Sequence, residues 1–284
     1  MHRPTHTLRL PRPLSVFLAR HSWRTATRTG TPPRPFLLLS SPRCGNNMLR
    51  SALQGHPDLH CESEIFLFAH DPGQIRLVPP ALRTAIRRAP EVAAVKTFLH
   101  KPSVRAAGFT LFYDQMREPG QQRLWSFLAD FPDLLILHLT RRDTFMQWLS
   151  LEEAMTSNLW LIQNGQSHPP PPPITLDPHR FFDWCDRIQS FQDFALRHLG
   201  HHPRIEVDYD DLTDHFDRVM NEVQIFLGLD PRSLTSTCKK IATRPLPERI
   251  ANLPAFLDAI QHHHGANYVQ QALARDALRH RAST

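Results

Sequence analysis

Short apolar runs alternate along this chain with longer segments that have helical periodicity. The run FLLLS at residues 36–40 has no polar interruption, which is typical of a strand covered on both faces. A polar, glycine-containing turn follows it. Behind the turn, the apolar residues Met48, Leu49, Ala52 and Leu53 recur at helical spacing until the sequence Gly-His-Pro ends the pattern. We therefore predict a strand, a turn and a helix in this order.

The same order returns at residues 134–139 (LLILHL), where a polar turn leads into a helical pattern from residue 145 to about residue 160. Further strands are predicted at residues 92–98, 108–112 and 205–209, and further helices at residues 181–199 and 219–227. Residues 163–173 end in five consecutive prolines and are predicted to form a surface loop. The alternation predicts an α/β fold, with a single P-loop-like domain in which helices flank a central parallel sheet.

Positive charge is concentrated at the start of the chain. The 284 residues carry 33 Lys and Arg side chains against 27 Asp and Glu, a net charge of +6. Seven of these arginines and no acidic residue lie in residues 1–35, so 26 basic side chains oppose 27 acidic ones elsewhere. This balance disfavours a general polyanion-binding surface on the folded part, and no nucleic-acid partner is expected. We predict a poorly ordered basic extension at residues 1–35 and one domain at residues 36–284.

The apolar stretch within this extension covers only residues 14–19, which is too short for a membrane span or a secretory signal. A transit peptide or a weak contact with a membrane surface remains open for it. The four cysteines show no paired spacing, which disfavours a disulfide framework or a zinc knuckle. We expect a cytoplasmic protein, and the sequence leaves its oligomeric state open.

The turn at residues 42–47 is a candidate anion site. A helix leaves its first N–H groups unpaired and carries partial positive charge at that end. Gly45 lets the backbone approach an anion closely, and Arg43 adds a charged fork of donors. Asn46 and Asn47 can cap the helix or donate hydrogen bonds themselves. The chain contains no Gly-Lys-Ser/Thr sequence, so a kinase or GTPase loop is disfavoured, while an ordinary capped turn stays open.

The segment FLLLSSPRCGNNMLRSALQGHPDLHCESEIF resembles the 5′-phosphosulfate loop of sulfotransferases that use 3′-phosphoadenosine-5′-phosphosulfate (PAPS). That loop usually reads P-[KR]-S-G-T/S-T-x-L. The following HPD and E-[IV]-F are typical of the carbohydrate-type and nodulation-type bacterial branch. Cys44 stands where serine is usual, and two asparagines replace two hydroxyl residues. The resemblance implies donor-binding roles for Arg43, Cys44, Gly45, Asn46, Asn47 and Met48.

A second motif has the order that the resemblance requires. The family holds the 3′-phosphate of PAPS with an arginine after a later strand and a serine eight residues further on. Arg142 and Ser150 have this spacing, whereas Arg141 does not. The segment GFTLFYDQMR also resembles the family's GFKLFYDQ, with Thr110 in place of lysine, and IEVDYDDL and RPLPERIANLPAF resemble later family segments.

The resemblance implies in-line transfer of a sulfuryl group from PAPS to a hydroxyl of a carbohydrate or glycolipid-like acceptor. Arg43 and the loop N–H groups would stabilise the developing charge, so no metal is expected. Glu64 occupies the position of the general base, and we predict that burial raises its pKa towards neutrality. Other candidates for the base are Glu62, His56, His60 and His100.

Two clusters of possible metal ligands are not predicted to bind a metal. The first comprises His56, His60, Cys61 and Glu64, and Pro57 disrupts the helix that its pair of histidines would need. The second is the histidine run at residues 262–264, which is expected to be solvated. Two other classes of function stay open. One is a P-loop-like phosphotransferase, and the other is a non-catalytic protein that binds RNA or a membrane through the basic extension.

Overall fold

The computed structural model describes residues 32–64, 95, 99, 103–115, 122–239 and 244–281. In these parts, five parallel strands form one sheet in the order β2-β3-β1-β4-β6, and two short strands, β5 and β7, form an antiparallel pair. The strands are β1 (Arg34–Ser40), β2 (Leu59–Glu64), β3 (Ala106–Phe112), β4 (Leu135–Thr140), β5 (Ile162–Gln163), β6 (Arg204–Asp208) and β7 (Cys238–Lys239).

Helices connect and cover these strands. Those with described bounds are α1 (Asn46–Leu53), α2 (Arg123–Ala129), α3 (Thr144–Ser157), α4 (Pro178–Leu199), α5 (Tyr209–Asp214), α6 (Phe216–Phe226), α7 (Leu246–Arg249), α8 (Leu253–Ile260) and α9 (Ala266–Arg281). The predicted fold class, a central parallel sheet flanked by helices, is confirmed. Within the described part, no helix combines the length and the apolar character needed to cross a membrane.

Strand β1 lies at the centre of the sheet, between β3 and β4, which explains its unbroken apolar sequence. Leu38 belongs to a cluster with Leu49 and Leu53 of α1, whereas its neighbour Leu39 belongs to a cluster with α2 and α4. Successive residues of a strand face opposite sides, so both faces of the sheet are covered. The carboxyl ends of all five strands meet at one edge, where the turns after β1 and β4 lie.

Glycine is needed where β1 and β3 approach each other. A Cβ atom on Gly108 of β3 would lie 2.4 Å from the backbone oxygen of Phe36. No other residue fits there without displacing backbone. Gly108 thus lets β3 pair closely with β1 near the start of both strands.

The structure revises several predicted boundaries. β1 begins at Arg34, which donates its N–H to the carbonyl of Arg105 at 2.8 Å, so the boundary predicted between residues 35 and 36 falls inside a strand. Of residues 92–98, predicted as a strand, only Val95 is described, and it is helical. The helix predicted to run to about residue 160 ends at Ser157, because Asn158 takes a left-handed backbone with φ of 55°.

The proline-rich segment is correctly predicted as a loop over most of its length. Its first residue, Gln163, belongs instead to β5, which pairs with β7. Residues 1–31 and 65–94 lie outside the described part of the chain, and the predictions made for them cannot be compared with the structure. They include most of the basic extension and the segment after Glu64.

Candidate active site

The turn between β1 and α1 has two left-handed residues, Arg43 with φ of 65° and Gly45 with φ of 94°. Gly45 is the N-cap of α1, and its carbonyl accepts the N–H of Leu49 at 3.0 Å. A Cβ atom on Gly45 would lie 2.9 Å from Cδ2 of Tyr209. The N–H groups of the first helical turn, at Asn46, Asn47 and Met48, have no acceptor within the helix. This geometry is that of an anion cradle, and we call residues 42–47 the donor loop.

The two asparagines do not cap α1 with their side chains, which corrects one predicted role. The amide of Asn46 donates to Oγ of Ser40 at the end of β1. Oδ1 of Asn47 accepts from Nη2 of Arg50 at 3.5 Å. Because Asn46 is buried and bonded backwards to the strand, its side chain braces the donor loop, and its backbone N–H is the group that a ligand can use.

The thiol of Cys44 is also directed into the protein. Cys44 is 1% exposed, and its Sγ lies 3.3 Å from Oγ of Ser41 and 3.1 Å from Nε2 of Gln147. Burial raises the pKa of this thiol. Gln147 also donates to the carbonyl of Pro42 at 2.7 Å, so one amide of α3 braces the donor loop. Gln147 was not predicted from sequence, although it is a polar residue in the first turn of the helix that also carries Ser150.

The side chain of Arg43 joins the two predicted motifs. Its Nε donates to Oγ of Ser150 at 3.0 Å, and its Nη1 donates to the carbonyl of Trp160 at 2.8 Å. Burial and the nearby charge of Arg141 lower the pKa of Arg43. Arg43 and Ser150 are 107 residues apart in the chain. The predicted donor residues therefore come from two segments that meet in space.

Arg142, the predicted partner of Ser150, lies further out. Its side chain is 68% exposed, and its Nη2 lies 3.0 Å from Oδ1 of Asp208. This hydrogen bond raises the pKa of Arg142. In the structure Ser150 contacts Arg43, and Arg142 contacts Asp208. The predicted convergence of Arg142 and Ser150 thus requires Arg142 to leave its carboxylate partner.

Arg141, which the spacing argument set aside, contacts the donor loop directly. Its Nη1 donates to the carbonyl of Arg43 at 3.1 Å, and its guanidinium lies 4.3 Å from the centre of the Tyr209 ring. Its Nε is buried, and no hydrogen-bond partner for it is found among the described residues. Arg141 is therefore the arginine of the second turn that lies against the first turn.

A cavity of about 90 Å³ lies beside the donor loop, next to the start of α3, the middle of α4 and the start of α9. Its lining includes Ser41, Cys44, Tyr113, Arg141, Gln147 and Tyr268. Among the described lining residues, Arg141 is the charged one, and the others are hydroxyl, thiol, amide or apolar side chains. The cavity is therefore rich in hydrogen-bond donors and adjoins the inner side of the donor loop.

Glu64 is the last residue of β2, at the same edge of the sheet as the donor loop. Burial, followed by the charge of Asp114, raises its pKa to about 7, and Arg50 opposes this rise. The direction is the one predicted from sequence. Glu64 is paired in register with Thr110, whose hydroxyl is buried and has no hydrogen-bond partner in the described structure. Phe66 and Phe68, the apolar residues that follow Glu64 in the sequence, lie outside the described part.

The other candidates for the base have partners of their own. Nε2 of His60 lies 2.5 Å from Oε1 of Glu62. His56 is buried, its Nδ1 accepts the N–H of Asp58 at 3.1 Å, and its Nε2 lies 3.1 Å from the carbonyl of Asp230. His100 lies outside the described residues. His56 and His60 therefore hold local structure around β2.

Within the histidine run at residues 262–264, His262 and His264 are exposed as predicted, whereas His263 is partly buried. His263 stacks on Phe182 with ring centres 4.0 Å apart. Asp186, His263 and His264 present ligand-type atoms within 4.8 Å of one another. However, Nδ1 of His263 accepts the N–H of Gly265 at 3.0 Å, so the neutral ring carries its proton on Nε2, the nitrogen on the side of Asp186. This tautomer disfavours metal binding by His263.

The geometry combines a parallel sheet with a loop of the type that binds nucleotide phosphates, and arginines from two strand ends lie around that loop. No family model matches the chain. The chain is 27% identical to Nodulation protein H of Rhizobium meliloti strain 1021 over 238 residues, which cover 80% of this chain and 91% of that protein. It is 25% identical to Nodulation protein H of Rhizobium tropici over 244 residues, which cover 84% and 92%.

Among solved structures, a sulfotransferase from Alicyclobacillus acidocaldarius aligns with a TM-score of 0.49 at 14% identity, covering 88% of this chain and 94% of that chain. The sulfotransferase domain from the curacin biosynthetic pathway aligns with a TM-score of 0.43 at 17% identity, covering 71% and 76%. The similarity to Nodulation protein H confirms the resemblance predicted from the two motifs. The chain is thus similar to Nodulation protein H over most of its length.

Proposed function

We propose that this enzyme moves a sulfuryl group from PAPS to a hydroxyl of a carbohydrate or glycolipid-like acceptor. The observation that carries the proposal is the hydrogen bond between Arg43 and Ser150, because it joins the two motifs that a nucleotide with two separate phosphate groups requires. The residues present fit such a donor. The donor loop offers unpaired N–H groups, Gly45 leaves no side chain in the way, and Arg43 and Arg141 supply positive charge.

The donor loop would hold the 5′-phosphosulfate end. The N–H groups of residues 45–48 bind anionic oxygens, and the guanidinium of Arg43 stabilises the charge that develops when the bond between sulfur and the phosphate oxygen breaks. Donors that are fixed before the reaction need no reorganisation as the charge develops. The hydrogen bonds of Arg43 to Ser150 and to the carbonyl of Trp160 support this role, because they fix the guanidinium beside the loop.

Arg142 and Ser150 would hold the 3′-phosphate. Arg142 is exposed and its partner Asp208 caps α5, so exchanging that carboxylate for a phosphate needs only a side-chain movement. Oγ of Ser150 already accepts a hydrogen bond from Nε of Arg43, so this bond would connect the two phosphate sites. Arg141 is the alternative to Arg142 for this role, because it contacts the donor loop and its buried Nε has no hydrogen-bond partner among the described residues.

Glu64 would act as the general base. Its oxygen accepts the proton of the acceptor hydroxyl, the hydroxyl oxygen forms a bond to sulfur, and adenosine 3′,5′-bisphosphate leaves with the electron pair of the broken bond. A pKa of about 7 suits this step, because the carboxylate is then both partly ionised and basic at neutral pH. The burial of Glu64 at the donor-loop edge of the sheet supports the assignment.

The test is transfer of labelled sulfate from PAPS to a panel of sugar, lipid, phenol and peptide acceptors, together with a thermal-shift measurement with adenosine 3′,5′-bisphosphate. Transfer to a sugar hydroxyl and a raised melting temperature are expected. A parallel assay with labelled ATP tests the phosphotransferase alternative. A chain that lacks residues 1–31 tests the extension-based alternative and keeps β1 intact, and loss of all ligand binding in it would overturn the proposal.

A further inference from the structure

Three polar side chains cross the buried sheet next to the donor loop. Oη of Tyr113 lies 2.6 Å from Nε2 of His138, and Nδ1 of His138 lies 2.5 Å from Oε2 of Glu206. Tyr113 follows β3, His138 lies in β4 and Glu206 lies in β6. Tyr113 and His138 are each only 2% exposed, whereas the Glu206 side chain is 54% exposed. This row therefore leads from the surface to the protein interior.

The order of the hydrogen bonds follows from the chemistry of the three groups. A carboxylate only accepts, so Nδ1 of His138 carries a hydrogen and donates it to Glu206. In a neutral imidazole the other nitrogen then accepts, so the hydroxyl of Tyr113 donates to Nε2. Burial lowers the pKa of His138, although Glu206 opposes this, and burial raises the pKa of Tyr113 well above its usual value. At neutral pH all the hydrogen bonds in this row thus run from Tyr113 towards Glu206.

The carboxyl ends of β1 and β4 are both connected to this row. The N–H of Tyr113 donates to the carbonyl of Ser40, the last residue of β1, at 2.9 Å. His138 is two residues before Thr140, the last residue of β4, and Arg141 follows directly. Tyr113 and Arg141 both line the cavity beside the donor loop. The row therefore links the start of the donor loop to the turn that carries the two arginines.

We propose that Tyr113, His138 and Glu206 are positioning residues of the donor site, which hold the donor loop and the turn after β4 at a fixed separation. The inference rests on the proposed function, because it assigns these residues to the binding of the nucleotide donor. None of the three needs to touch the donor. They act through the Ser40 carbonyl on one side and through the end of β4 on the other.

The hydrogen bonds of this row run from Tyr113 towards Glu206 only while the His138 ring is neutral. Protonation places a hydrogen on both ring nitrogens, so Nε2 no longer accepts and the Tyr113 hydroxyl turns its hydrogen elsewhere. Among the described residues, the titratable or charged groups that act on His138 are Glu206 and Arg204, both on β6, and those that act on Tyr113 are the Cys44 thiol and Glu206. Because burial lowers the pKa of His138, we expect donor affinity to fall only at acid pH, where His138 takes up a proton.

The experiment measures the dissociation constant of adenosine 3′,5′-bisphosphate by calorimetry for the full chain between about pH 5 and pH 8. Tyr113→Phe keeps the buried ring and removes one hydroxyl, and His138→Gln and Glu206→Gln remove the other two links. Tyr268→Phe is the matched control, since Tyr268 lines the same cavity without belonging to the row. Comparing variant with wild type at each pH cancels the titration of the ligand itself.

Tyr113→Phe is expected to weaken binding roughly 3- to 10-fold near pH 7.5, with a smaller difference from wild type at acid pH. Combining Tyr113→Phe with His138→Gln should add little to either change, because both break the same row. Losses that are independent of pH, additive, or matched by Tyr268→Phe would overturn the inference alone. A wild-type chain that does not bind the bisphosphate would overturn the proposed function and the inference together.

A second measurement does not depend on nucleotide binding or on the stability of the variants. Nitrogen chemical shifts of labelled histidine in the wild-type chain report which ring nitrogen carries the hydrogen. We expect His138 to carry it on Nδ1 at neutral pH and to take up a second proton only in acid. A hydrogen on Nε2 at neutral pH contradicts the direction of the row and overturns the inference.

Discussion

Arg249 forms a double hydrogen bond with Glu153, with Nε and Nη2 each 2.8 Å from a carboxylate oxygen. Both side chains are nearly buried, at 4% and 9% exposure. Glu153 lies one turn after Ser150 on α3, and Arg249 ends α7 in the carboxyl-terminal part of the chain. This ion pair therefore fixes the helix that carries Ser150 against the segment that resembles a late family motif.

Removing one partner of this pair should destabilise the fold. Arg249→Ala leaves the Glu153 carboxylate buried without its partner, so we expect a loss of about 3–5 kcal/mol in the free energy of unfolding. Arg180→Ala is the control, since Arg180 forms an ion pair with Glu152, the neighbour of Glu153, but is 54% exposed. Arg180→Ala should lower the free energy of unfolding by at most about 1 kcal/mol. Denaturant unfolding measures both, and equal losses would contradict the account.

Arg142→Ala tests which arginine binds the 3′-phosphate. We expect it to weaken binding of adenosine 3′,5′-bisphosphate roughly 10- to 100-fold and to leave binding of adenosine 5′-phosphate nearly unchanged. Arg141→Ala should weaken the binding of both nucleotides to a similar extent, because Arg141 donates a hydrogen bond to the Arg43 carbonyl in the donor loop. Calorimetric titration of each variant with each nucleotide measures these effects. The reverse pattern would transfer the role to Arg141.

Glu64→Gln tests the general base. We expect turnover to fall roughly 10²- to 10⁴-fold while donor affinity stays nearly intact, because the amide cannot accept the acceptor's proton. Glu62→Gln is the control, since Glu62 is paired with His60. Initial rates at saturating PAPS measure the effect. Wild-type turnover in Glu64→Gln would show that another residue is the general base.

The raised pKa of Glu64 predicts two pH effects. Turnover of the wild type should rise as the pH passes through about 7, since the carboxylate is the active form. Stability should change in the opposite direction. Between pH 4.5 and about 7 the folded state holds a proton that the unfolded state releases, so this group lowers stability as the pH rises through that window. Glu64→Gln should remove both effects, and a turnover profile unchanged by this variant would exclude Glu64 as their source.

Gly45→Ala tests the donor loop with a matched control. Gly45 and Gly165 both have a left-handed backbone, with φ of 94° and 85°. A Cβ atom on Gly45 meets Tyr209 at 2.9 Å, whereas one on Gly165 meets no atom of the described residues within 4 Å. Gly165→Ala should therefore cost only backbone strain of roughly 1–2 kcal/mol. Gly45→Ala should cost more and should also weaken donor binding, as measured by unfolding and titration. Equal effects on binding in the two variants would contradict an anion cradle at Gly45.

Local patterns predicted the elements around the site well. The apolar run before Arg43 and the run before Arg141 are both inner strands, and the strand at residues 205–209 and the helix at 181–199 were found within a few residues. Predicted boundaries were wrong where the pattern of apolar residues does not mark the end of a helix or strand. Asn158 ends α3 early in this way, and Arg34 joins β1 because it pairs with Arg105, which no local pattern reveals.

The sequence by itself determined the class of fold and the two loops, because apolar periodicity and turn residues act over a few neighbouring positions. Which side chains meet was decided only by tertiary structure. The strand order places β4 beside β1, and this brings Ser150 to Arg43 and Arg141 to the donor loop, while the row from Tyr113 to Glu206 spans four neighbouring strands. Strand order depends on long-range pairing and packing, and these leave no signature at any single position in the chain.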